Sequence, residues 1–91
     1  MSKWAKFYDK LEGGNSDNNI EFDDLVNYLE RLGWVRRNAG TSHMLYEHAL
    51  VPPALNLQPR SDGKAKAYQV KQVREALDEY TGDDRDGWLR G

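Results

Sequence analysis

Apolar residues recur at helical spacing in two stretches of the chain, and a shorter stretch between them alternates like strands. Phe22, Leu25, Val26, Leu29 and Leu32 fall three or four positions apart, which lines them up on one helix face. Glu21, Asp23 and Asp24 sit in the first turn of that helix and Arg31 in its last, complementing its dipole. Gly33 then supplies the residue that turns left-handed just past the end. Helical spacing returns at Tyr68, Val70, Val73, Leu77 and Tyr80, closed by Gly82. Between the two helices the pattern predicts three short strands, Trp34 to Asn38, Ser42 to His48 and Ala54 to Gln58. Ala39-Gly40-Thr41 is the first turn, and Pro52-Pro53 makes the second connection a loop.

A third apolar series, Trp4, Phe7, Tyr8 and Leu11, predicts a short amphipathic helix over residues 3–12. The run from Gly13 to Asn19 breaks it, because glycine is permissive and Asn, Asp and Ser bond their own backbone. The expected division is therefore an N-terminal extension and linker (1–19), a compact domain (20–81) and an acidic, mobile tail (82–91) whose Trp88 and Leu89 could dock.

Helix, three strands, helix is an α+β order, and both helical stripes need one face of a sheet to bury themselves. The expectation is an αβββα sandwich: a three-stranded antiparallel sheet with two helices on one face. Leu55 and Leu57 mark the covered face of the third strand, and Leu45 takes the matching role on the second. His43 shares the parity of Leu45 and is expected at the rim of that face, while Met44, Tyr46 and His48 face the other way.

A chain of 91 residues has room for one core. It holds no cysteine, which excludes a disulfide framework, a thiolate zinc site and a cysteine nucleophile. Its apolar runs are too short for a membrane span or a secretion signal, so a cytoplasmic protein with no membrane partner is expected. No nucleotide-binding, hydrolase or zinc motif occurs. The formal net charge of −2 argues against a polyanionic partner, yet its distribution does not. Acids gather around the first long helix and in the tail, whereas Arg36, Arg37, Arg60, Lys64, Lys66, Lys71 and Arg74 dominate the middle. A polyanion responds to the local field at its contact surface.

The candidate chemistry lies in Gly40-Thr41-Ser42-His43, followed by the basic loop that opens the last helix. Imidazole exchanges protons near neutrality, and cations beside it can hold a phosphate, which is what phosphodiester cleavage requires. His43 is the candidate base. Arg36, Arg37, Arg60, Lys64, Lys66 and Lys71 are candidate phosphate contacts, with Ser42 or Tyr46 orienting a group. His48 has the opposite parity to His43, so a shared metal site is not expected and no cofactor is implied. The plain alternatives are a structural histidine, cations that keep a loop soluble, and Trp34 and Tyr68 as core residues.

From Ile20 to Tyr80 the chain resembles the HicA family of small bacterial toxins. The resemblance rests on Leu29-Glu30-Arg31-Leu32-Gly33-Trp34, on Gly40-Thr41-Ser42-His43 matching a glycine-serine-histidine turn, and on the sheet-to-helix connection after Leu57. Met44 stands where many members carry a second histidine, and Gln58-Pro59-Arg60 and Ala67-Tyr68-Gln69-Val70 depart from the usual segments. The resemblance implies a double-stranded-RNA-binding-domain-like fold, metal-independent cleavage of mRNA with His43 as the catalytic residue, and a HicB-like antitoxin as partner. A non-catalytic RNA-binding module and a protein-interaction domain are the competing readings.

Overall fold

The computed structural model describes residues 3–38 and 44–91. It contains helix α1 (Lys3–Gly13), a 3-10 turn (Asp17–Asn19), helix α2 (Phe22–Arg31), strands β1 (Val35–Asn38), β2 (Met44–Glu47) and β3 (Leu55–Leu57), and helices α3 (Ala67–Asp78) and α4 (Arg85–Arg90). The α+β class and the antiparallel sheet, in the order β1-β2-β3, follow the expectation. No helix among the described residues is long and apolar enough to cross a membrane.

Helix α2 buries Phe22, Leu25, Tyr28 and Leu29. It ends as its sequence requires. Gly33 adopts φ 108°, its N–H donates to the Glu30 carbonyl at 3.1 Å, and the Trp34 N–H donates to the Leu29 carbonyl at 3.0 Å. This paired closure satisfies the last carbonyls of the helix and needs a residue without a Cβ. Space there is also tight, since a Cβ on Gly33 would lie 3.1 Å from His48 Nε2 and the ring would have to give by a few tenths of an ångström.

The register corrects one expectation. Met44 pairs with Leu57 and Tyr46 with Leu55, while Leu45 pairs with Asn56 and Arg37. Cross-strand partners share a face, so Met44 and Tyr46, not Leu45, lie with Leu55 and Leu57 against the helices. Tyr46 is 1% exposed, and Leu45 is half-buried on the other face. The expected place of His43 on the covered face rests on its parity with Leu45, which lies on the other face, and His43 itself is outside the described residues.

The expected extension and tail belong to the same core as the central domain. Tyr8 and Leu11 of α1 and Leu89 of α4 cluster with Ile20, Leu25, Trp34, Leu57 and Val73. Arg74 ties down the segment after α1 with a two-pronged ion pair to Asp17 (2.9 and 3.1 Å) and a bond to the Leu11 carbonyl (3.2 Å). Residues 82–91, expected as a mobile tail, include a docked helix. Tyr28 Oη donates to the Leu89 carbonyl at 2.7 Å, Trp88 Nε1 donates to the Leu32 carbonyl at 2.9 Å, and the Trp88 ring stacks on Tyr80 at 3.7 Å. Asp84 accepts from the Gly87 N–H and so caps α4.

Candidate nucleic-acid interface

Two expected site residues, His43 and Ser42, lie outside the described residues. Their flanks are defined. Asn38, Met44 and Leu57 form one row across the sheet, the last row before β3 leaves it as Gln58. The chain joining β1 to β2 therefore departs from the end of the sheet where β3 turns toward α3.

At that end the start of α3 builds a polar cluster. Gln69 is only 4% exposed, and its Oε1 accepts from the Gln58 backbone N–H at 2.9 Å. Its Nε2 donates to Tyr68 Oη at 3.3 Å, and Lys66 Nζ donates to Gln58 Oε1 at 3.2 Å. A buried amide satisfied on both sides is a rigid post, and it holds β3 to α3. The Tyr68 ring is 58% exposed, not in the core as one reading of the sequence had it. An exposed ring beside a lysine can stack on an unpaired base.

The other expected phosphate contacts do not converge on this cluster. Arg60 pairs with Asp62 at 2.6 Å and bonds the Asn18 carbonyl at 3.2 Å. Lys64 pairs with Glu21 at 3.0 Å and reaches Asn19 Oδ1 at 2.9 Å. Their loop is fastened to the start of α2, where the Phe22 N–H donates to the Gly63 carbonyl at 3.1 Å. The backbone N–H of Lys64, helped by Arg60, holds the Asp62 carboxyl below its ordinary range. Arg37 meets Glu47 at 3.3 Å on the uncovered face of the sheet. Among the described residues, Arg36, Lys66 and Lys71 have no carboxylate partner, and Arg36 stands on β1, across the sheet from β3.

His48, expected as a surface residue, is half-buried and committed to structure. Its Nε2 lies 3.1 Å from the Leu32 carbonyl, and its Nδ1 accepts from the Leu50 N–H at 3.0 Å. With Nδ1 accepting, Nε2 is the ring nitrogen that can donate to the Leu32 carbonyl. The ring sits 4.6 Å from Trp34 and 5.9 Å from Trp88, centroid to centroid. It is a clasp between the end of α2 and the chain after β2. Among the described residues no cluster of three His, Asp or Glu side chains is placed to hold a metal ion.

A second cationic region was not anticipated. Lys3, Lys6 and Lys10 of α1 line a groove of about 520 Å³ with Trp4, Phe7 and Asp24. The signal was present as lysines and aromatics repeating along one helical face. Reading residues 1–19 as an extension outside the domain left that face without a wall to form a groove.

Comparisons with protein-family models, with curated proteins and with solved structures found no match to this chain.

Proposed function

We propose that the protein is a toxin-type ribonuclease of the HicA kind, cleaving mRNA without a metal and held in check by a HicB-like antitoxin that covers its site. The observation that carries this reading is the convergence at one end of the sheet. The strands flanking residues 39–43 end in the row that abuts Gln58, and Gln58 is bonded to Lys66 and Gln69 beside the exposed Tyr68. The imidazole of His43 takes the proton of a ribose 2′-hydroxyl. The 2′-oxygen attacks the adjacent phosphorus, the bond to the 5′-oxygen breaks with that oxygen taking a proton from solvent water to leave as a 5′-hydroxyl, and a 2′,3′-cyclic phosphate remains. Ser42 orients the reacting group, Lys66 and Lys71 offset charge on the phosphoryl oxygens, and Tyr68 stacks on a neighbouring base. Arg36 extends the contact along the strand from β1. Arg37, Arg60 and Lys64 contribute less, because Glu47, Asp62 and Glu21 already offset their charge.

A non-catalytic RNA-binding module is the second reading, and the state of His48 favours it. With both ring nitrogens engaged, His48 is not available as the acid that complements a base at the leaving group. Cleavage of a mixed-sequence RNA in excess EDTA separates the two. The ribonuclease reading expects cyclic phosphate ends from the wild type, and no cleavage by His43→Ala or of a substrate with 2′-deoxy sugars. RNA binding without any wild-type cleavage would replace it with the binding module.

A further inference from the structure

We propose that the groove between α1 and α2 is a binding site for single-stranded RNA, separate from the end of the sheet. Trp4 and Phe7 are half-buried and pack against Tyr28 with ring centroids 5.9 and 5.0 Å apart, which fixes them as one wall of the groove. Lys3, Lys6 and Lys10 are exposed along the same helix and have no ion-pair partner among the described residues. Lys3 and Lys10 are seven positions apart, about 10 Å along a helix axis, so they can address more than one phosphate of a strand.

Charge complementarity selects the occupant. Three lysines face one carboxylate, Asp24, across the groove, in a chain whose formal net charge is −2. Elsewhere on the surface Arg37, Arg60, Lys64, Arg74, Arg85 and Arg90 are matched to carboxylates. Lysines that remain unmatched around two aromatic rings suit a ligand that is anionic along its backbone and flat in its side groups. Single-stranded RNA has both properties, and base stacking on aromatic side chains is tolerant of sequence. The Trp4 ring already has the Arg31 guanidinium 5.6 Å and the Lys3 ammonium 4.9 Å from its centroid, so the cations and the stacking surface are adjoining parts of one wall. Asn27, on the α2 side, offers an amide that can bond to a base edge.

This inference rests on the RNA-binding part of the proposed function and adds a second place of contact to it. The test uses the full chain and a mixed-sequence 2′-O-methyl RNA, which binds but lacks the 2′-hydroxyl needed for cleavage. Affinity is measured across a salt series for the wild type and for Lys3→Gln, Lys6→Gln and Lys10→Gln combined. Each phosphate contact to a single strand contributes about 0.7 to the slope of log affinity against log salt, so the triple variant is expected to lower the slope by about 2. A 5-bromouridine version of the RNA, irradiated on the wild type, is expected to cross-link to the α1 peptide. That second readout does not depend on how the variant folds. Wild-type binding with an unchanged slope in the variant, or cross-links that avoid α1, overturns the groove alone and leaves it to an acidic peptide. A wild type that does not bind RNA at all overturns the proposed function, and the groove with it.

Discussion

Replacing Leu89 by alanine tests whether the C-terminal helix is part of the fold. Leu89 is 2% exposed and clusters with core residues of α1, α2 and the sheet. Removing a buried leucine side chain costs about 2–5 kcal/mol, depending on how far the surroundings relax into the space. Helix α4 has only six residues and lies at the end of the chain, so it can shift inward more easily than a central strand. The lower part of the range applies, about 2–3 kcal/mol. In a domain of this size each kcal/mol lowers the melting temperature by about 4–8 °C, which puts the expected drop near 10–20 °C. Guanidinium unfolding followed by circular dichroism should show a lower midpoint with an unchanged slope, since the surface exposed on unfolding is nearly the same. Asp83→Ala, at an exposed position beside the helix, is the control and should stay within about 0.5 kcal/mol of wild type. The same small effect for Leu89→Ala would refute the docking of α4 and restore a tail outside the domain.

Two further outcomes follow from single contacts. Burial is the main cause that raises the phenol pKa values of Tyr28, Tyr46 and Tyr8, so each is held neutral in the fold beyond its ordinary range. Their contribution is complete below the unfolded tyrosine value of about 10 and is lost as pH rises above it. Tyr28→Phe should flatten that alkaline loss in a pH series of melting temperatures, and should cost about 1 kcal/mol at neutral pH by removing the bond to the Leu89 carbonyl. An equally steep alkaline loss in the variant would show that Tyr28 does not carry it. If the end of the sheet binds RNA, Lys66→Ala should weaken binding and lower the salt slope by about 0.7. Lys64→Ala should change it less, because Glu21 already offsets that charge. Equal effects at both positions would argue against ion pairing as the filter.

The helices were legible because each carries a stripe at helical spacing that survives whatever surrounds it, and α1, α2 and α3 follow their apolar positions closely. The face of β2 was not legible. Leu45 and Tyr46 are adjacent and both have apolar bodies, so alternation alone assigns either one to the core. The partner strand decides, because Leu55 and Leu57 pair with Tyr46 and Met44. Helix α4 was hidden for another reason. Its acids and glycines read as an acidic, mobile tail, whereas in the fold Asp84 is a cap and Asp86 meets Arg90 at 3.2 Å. The partners of the basic residues were hidden in the same way. Lys64 finds Glu21 43 positions away and Arg74 finds Asp17 57 positions away, pairings that exist only after folding.

That last point changes how the net charge bears on a polyanionic partner. A formal total of −2 treats every charge as equally available. In the fold many carboxylates are spent on internal partners: Asp17 on Arg74, Glu21 on Lys64, Asp62 on Arg60 and Asp9 on Arg90. Each such pair contributes little field beyond its own neighbourhood, because its two charges nearly cancel within a Debye length. The cations left without a carboxylate among the described residues are Lys3, Lys6, Lys10, Arg31, Arg36, Lys66 and Lys71. Four of these line or border the α1–α2 groove and two stand at the start of α3. The cations without a carboxylate are therefore gathered mainly in two places where an exposed or half-exposed aromatic ring also stands, Trp4 in one and Tyr68 in the other. An acidic total with cations gathered beside aromatic surfaces suits a protein that must meet a strand at particular places, since the remaining negative surface disfavours adsorption elsewhere.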